Sequence, residues 1–339
     1  RCRLTSSVPT RWEAGTDVAE MTTRLSTVTL PNPVLTASGC AAAGRELHQF
    51  FDVAGLGAVV TKSIMTAPRS GRPTPRMAET PSGMLNSIGL QGPGIDSFIA
   101  NDLAWLAEHG ARVVVSIAGT HTDEYVALAR KLAGHPAVSM LEVNISCPNV
   151  ESRGQVFACD AIASARVIGA VRRSADPAQP VFAKLSPDVT DIVHIARACA
   201  DSGADGFSLI NTLLGLVIDP DTMSPVLGGV TGGLSGPAIR PVAVRCVWQV
   251  RQAFPHLPIL GMGGIRTGLD ALEFILAGAS AVSVGTAVFG DPSAPMRVLT
   301  ELDAALDERG FASVSDAVGF AHLDRFARAA RSNPEPAAS

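Results

Sequence analysis

Eight short runs of β-branched and other apolar residues recur along this chain. Each is followed by a longer segment whose apolar positions keep helical spacing, and that alternation leaves few architectures open. The runs are Val34–Thr36, Ala58–Lys62, Val113–Ile117, Met140–Asn144, Val181–Leu185, Gly206–Ile210, Ile259–Met262 and Ala281–Val284. Runs this short and this apolar suit parallel strands buried on both faces. The spacing predicts helices near 45–55, 95–109, 122–133, 160–173, 189–202, 237–253 and 267–278, and another after 294. Eight strand–helix units make a closed α/β structure, the (β/α)8 or TIM barrel, whereas a doubly wound open sheet usually stops short of eight strands.

Two connections are too long for ordinary strand-to-helix loops. One covers 63–93 and is rich in Pro, Gly and Arg; the other, 212–236, reads as an extended hairpin. Both follow strands, so both are expected to be insertions at the C-terminal face of the barrel, where such enzymes place their chemistry. No repeat or linker divides the pattern. One catalytic domain over 21–330 is expected, with 1–20 a disordered extension that opens no apolar h-region and 331–339 a frayed Pro-containing tail.

Composition narrows the function. Net charge is −4, and aromatic residues make up 5% of the chain. Nucleic acid, which needs basic surface or stacking platforms, is therefore not an expected partner. No stretch of 18 uninterrupted apolar residues exists, so no membrane span is expected. The six cysteines, at 2, 40, 147, 159, 199 and 246, show no paired spacing, which suits reduced thiols and a cytoplasmic location. The seven histidines form no metal-binding pattern, and no metal is expected.

Polar residues gather where the proposed strands end. Lys62 closes the second strand, Asn144 the fourth and Lys184 the fifth, and Asn211 follows the sixth. Such positions point into the mouth of a barrel. GMGGI at 261–265 and Gly285-Thr286 each follow a strand and precede a helical pattern, where bare backbone can approach a phosphate. NISCPNVESRG at 144–154 puts Cys147 on a loop leaving the fourth strand, suited to a nucleophile or base. A buried structural cysteine is the competing reading for Cys147, and the preferred one for Cys2, Cys159, Cys199 and Cys246. Cys40 lies on the loop leaving the first strand, and its role stays open.

These residues fall into a known order. TKS at 61–63, NSIGL at 86–90, NISCPN at 144–149, AKLSP at 183–187, INTLLG at 210–215, GGLSGPAIRPVA at 232–243, GMGGI and VGTA at 284–287 resemble the class 1 dihydroorotate dehydrogenases over about 24–290. NTLLG, a hairpin and GGLSGPAIRP are similar to the B-type catalytic subunit. The resemblance implies a TIM barrel holding FMN that oxidises (S)-dihydroorotate to orotate in pyrimidine (UMP) synthesis. It also implies a homodimer, and a heterotetramer with an electron-transfer subunit that carries FAD and an iron–sulfur cluster and delivers electrons to NAD.

Carried onto this chain, the resemblance implies that FMN contacts Ala37, Ser38, Lys62, Ser63, Asn144, Lys184 and Ile210. Gly236, Gly263, Gly264, Gly285 and Thr286 would surround the ribityl phosphate. Substrate would meet Lys62, the run Asn86, Ser87, Ile88, Gly89 and Leu90, and then Asn144, Asn149, Asn211 and Thr212. Cys147 would be the general base, and Lys184 would stabilise negative charge on the reduced ring. Ser116 departs from the family, which commonly has asparagine there near the flavin. CAAAG after ASG puts smaller side chains in the first flavin loop, Arg153-Gly154 replaces a Gly pair, and ACD at 158–160 departs from the usual stretch.

Other readings fit parts of the pattern. A dihydropyrimidine (dihydrouracil) dehydrogenase-type barrel shares the NxSCP loop but continues with His where this chain has Asn149. A phosphate-binding lyase or isomerase barrel explains the late glycines and leaves both lysines without a joint purpose. A non-catalytic flavin-binding scaffold leaves Cys147 unused.

Overall fold

The computed structural model describes residues 19–146 and 160–324. Eight parallel strands form its centre, and we number them β1 (Val34–Thr36), β2 (Val59–Val60), β3 (Val113–Ile117), β4 (Val138–Asn144), β5 (Val181–Leu185), β6 (Gly206–Leu209), β7 (Ile259–Met262) and β8 (Ala281–Val284). They pair in the order β1-β8-β7-β6-β5-β4-β3-β2. A parallel bridge between Leu35 and Ala58 joins β1 to β2, so the sheet closes on itself as the alternation predicts.

Five of the eight expected strands keep their bounds, and the differences have local causes. β2 is shorter than 58–62 because Lys62 turns its N–H away from the sheet to Ala42 O, at 3.0 Å. β4 begins at Val138, two residues earlier than its apolar run. The helix expected over 45–55 stops at His48, and Asp52 accepts from Ala54 N to open a separate 3-10 turn. Asp160 caps rather than enters the next helix, accepting from Ile162 N and Ala163 N. After β7, Thr267 and Asp270 form a reciprocal capping box at the start of Gly268–Leu276.

Inward-facing side chains of such a barrel stack in layers of four drawn from alternate strands. The pairing register gives those layers by name. Leu35, Val114, Phe182 and Leu260 come from the odd strands; above them stand Val60, Glu142, Ser208 and Ser283 from the even ones. The next layer is Ala37, Ser116, Lys184 and Met262, and Lys62, Asn144, Ile210 and Gly285 stand at the mouth. Gly206 lies beneath Phe182, where a Cβ would come within 2.5 Å of the ring. The bottom is plugged by an N-terminal hairpin, Thr23–Leu25 with Val28–Leu30, whose Leu25 and Leu30 join the inner core.

Ala19 and Glu20 fall within the expected extension, yet both pack on the barrel. Ala19 is buried, and Glu20 exchanges backbone hydrogen bonds with Ala312 and Val314. Among the described residues, no helix is long and apolar enough to cross a membrane.

Candidate active site

The two long connections meet over the C-terminal face. Within 63–93, Met77–Thr80 pairs with Gly83–Asn86; within 212–236, Leu213–Gly215 pairs with Gly232–Ser235, which confirms the hairpin. The two hairpins then pair with each other through Asn86 and Gly233, making one four-stranded antiparallel sheet. Thr286 Oγ1 donates to Ser235 Oγ at 2.8 Å and ties this sheet to the loop after β8.

Sheet and barrel mouth enclose a cavity of about 2130 Å³. Typical small-ligand pockets occupy roughly 300–1,000 Å³. There is room for a large cofactor and a small substrate together. Every expected flavin residue lines it, from Ala37 and Ser38 to Gly285 and Thr286, as does every expected substrate residue among those described. Cys147 and Asn149 lie outside the described residues, as do Arg153 and Gly154.

A chain of hydrogen bonds fixes the polar wall. Asn144 Nδ2 donates to Ser63 Oγ at 3.0 Å, Asn211 Nδ2 reaches Asn144 Oδ1 at 3.4 Å, and Ser63 Oγ lies 3.3 Å from Ser38 Oγ. The buried Tyr125 hydroxyl donates to Asn144 O at 2.9 Å, and Ser146 N donates to Asn144 Oδ1 at 3.2 Å. Ser116 is fully buried behind this wall, its Oγ 2.9 Å from Ser63 Oγ. It is absent from the cavity lining, and its hydroxyl meets the cavity wall through Ser63.

The opposite wall is bare backbone. Gly263, Gly264 and Gly236 all have positive φ. A Cβ at Gly264 would lie 2.8 Å from Gly236 O and 2.9 Å from Arg240 Cβ. No side chain fits at Gly264, so these glycines present bare backbone to the cavity, the kind of wall a phosphate-bearing ligand requires. Arg240 is braced behind it by Asp270 and by Glu273, the latter at 3.1 Å.

Charge on the floor comes from Lys62 and Lys184. Lys184 Nζ stands 3.3 Å from Glu142 Oε1, and both side chains are buried. Glu142 escaped the sequence reading. Its signal was there: it sits two residues before Asn144 on an apolar strand, hence on the same inward face. Cys40 also lines the cavity. Burial pushes its thiol up to about 11, against the pull of Lys184 and Lys62, so it stays protonated at neutral pH and cannot serve as a base. Cys199 is pushed to about 12 by burial alone, in line with a structural thiol. No group of three or more His, Cys, Asp or Glu among the described residues could hold a metal ion.

The model of the family described as dihydroorotate dehydrogenase matches residues 20–306. This chain belongs to the dihydroorotate dehydrogenase family. A relative from Pelobacter propionicus is 51% identical over 300 residues, 88% of this chain and 98% of its own. One from Desulforudis audaxviator is 52% identical over 295 residues, covering 87% and 95%. One from Anoxybacillus flavithermus is 48% identical over 292 residues, covering 86% and 93%. All three are named dihydroorotate dehydrogenase B (NAD(+)), catalytic subunit. In this dihydroorotate dehydrogenase chain the two lysines, Asn144 of β4, Asn211 just after β6 and the late glycines face one cavity. A lyase or isomerase barrel gives no account of that grouping.

Proposed function

We propose that this chain is the catalytic subunit that oxidises (S)-dihydroorotate to orotate on FMN, passing electrons to NAD through a partner subunit with FAD and an iron–sulfur cluster. The observation that carries the reading is the convergence of Lys62, Asn144, Lys184 and Asn211 with a glycine cradle on one cavity. The family is one of flavoenzymes, and FMN is the flavin that a phosphate cradle without a second nucleotide fingerprint suits. The relatives' name, a catalytic subunit with NAD(+), supports the partner. A homodimer and a cytoplasmic location complete the reading.

When bound, the flavin supplies the acceptor for the hydride leaving C6 of the substrate. Cys147 removes the C5 proton as general base from the loop after β4. Asn144 and Asn211 present amide donors and acceptors to an amide-rich anion without adding repulsive charge. Their mutual bond and the Asn144–Ser63 bond hold those amides in place before substrate arrives. Lys62, two residues past β2, supplies a cation for the carboxylate. The four-stranded sheet excludes water above it. Asn149, in the NxSCPN run, is assigned to substrate, which favours a charged dihydropyrimidine over dihydrouracil.

The test is anaerobic and optical. Purified protein should be yellow, and dihydroorotate should bleach it whereas dihydrouracil should not. A colourless protein would refute the flavin; bleaching by dihydrouracil alone would replace the substrate.

A further inference from the structure

One layer of the barrel interior is chemically out of place. Val60, Glu142, Ser208 and Ser283 fill the level between the apolar floor and Lys184, and the three polar members are at most 1% exposed. Glu142 Oε2, Ser208 Oγ and Ser283 Oγ have no hydrogen-bonding partner among the described residues. Buried polar atoms in folded proteins are partnered, by ordered water where protein atoms do not reach. Ser283 also lines the cavity, so the layer is continuous with it.

We propose that Glu142, with Ser208 and Ser283 as its hydrated neighbours, is a positioning residue that holds Lys184 at the cavity floor and offsets its charge. The flavin above then faces a neutral pair instead of a bare cation, and its readiness to accept electrons is set by both partners. Two observations and one physical argument support this. The carboxylate sits one layer beneath the lysine and 3.3 Å from its ammonium. Breaking a buried pair is strongly destabilising, so each group holds the other in place. Two hydroxyls share the carboxylate's layer, on the adjoining even strands β6 and β8. The inference deepens the flavin reading above and rests on it.

The test is the midpoint potential of the bound flavin in the full chain, measured by spectroelectrochemical titration, together with flavin affinity. Glu142→Gln removes a negative charge and should favour the reduced form about tenfold, a rise of ~30 mV for a two-electron couple. Lys184→Met should shift the balance the other way by a similar factor. The double variant, neutral like the native pair, should return to within about threefold of wild type. A merely structural Glu142 would leave the potential unmoved. If Glu142→Gln does not fold, the double variant decides against Lys184→Met: recovery of the native potential agrees, and a potential as low as that of Lys184→Met overturns the proposal. An unchanged or lowered potential in a folded Glu142→Gln overturns it as well. A set of variants and wild type all lacking flavin absorbance would sink the cofactor reading with it, whereas flavin-loaded proteins of equal potential sink the role of Glu142 alone.

Discussion

Gly206→Ala tests the layer arrangement on which the whole site stands. An added Cβ would meet Phe182 Cζ at 2.5 Å, Phe182 Cε1 at 2.6 Å and Pro258 O at 2.7 Å. All three distances are far inside ordinary contact. The ring is fully buried in the inner core and the carbonyl is backbone, so neither yields cheaply. Overpacking of this kind costs about 1–3 kcal/mol, and two rigid neighbours place this case near about 3 kcal/mol. For a chain this long, each kcal/mol lowers the melting temperature by about 2 °C, so a drop of about 6 °C is expected by circular dichroism. Phe182→Leu alone should also destabilise, through lost burial. In the double variant the smaller side chain relieves the ring contacts, so the combined loss should fall short of the sum by about 1–2 kcal/mol. Strict additivity, or a neutral Gly206→Ala, would refute the stacking of Phe182 over Gly206.

Replacing Cys147 by Ala should slow reduction of bound flavin by dihydroorotate by about 10²–10⁴-fold, measured by stopped flow, with flavin content unchanged. Gly264→Ala puts a Cβ at φ +85 within 2.8 Å of Gly236 O, so it should destabilise the apoprotein by about 1–3 kcal/mol in thermal melting and, by displacing the cradle, weaken flavin binding at least about tenfold by equilibrium dialysis. Cys40, raised from 9.0 to about 11, reacts as thiolate; its alkylation, followed by mass spectrometry on the apoprotein, should stay slow at pH 9 and accelerate only toward pH 11. Alkylation of Cys40 at the ordinary thiol rate near pH 8 would contradict the upward push on its thiol.

The barrel was legible because each strand is buried on both faces and so writes itself as an apolar run, as in Val181–Leu185 and Ala281–Val284. Lys62, Asn144 and Lys184 were legible as polar residues interrupting or ending such runs. Glu142 was passed over as a single carboxylate in VSMLEVN, although its two-residue spacing from Asn144 already put it on the inward face, which the register with β3 and β5 bears out. The joining of the two long loops into one sheet was hidden by distance. The partners Asn86 and Gly233 are separated by 147 positions, and neither segment alone signals the other. The short helix at 45–48 shows the converse failure, where local spacing promised more than the chain's own Asp52 turn allowed.

That shared sheet makes the roof of the cavity a joint inheritance of two distant stretches of chain. A slip of one residue in either hairpin would turn the side chains opposite it to the other face. Asn86 and Ser235 would then exchange inside for outside while the barrel below stayed intact. Loop exchange between relatives should therefore succeed when both insertions travel together and fail when either travels alone. The same pairing couples the two loops mechanically, so mobility measured at Met77–Thr80 should rise and fall with that at Leu213–Gly215.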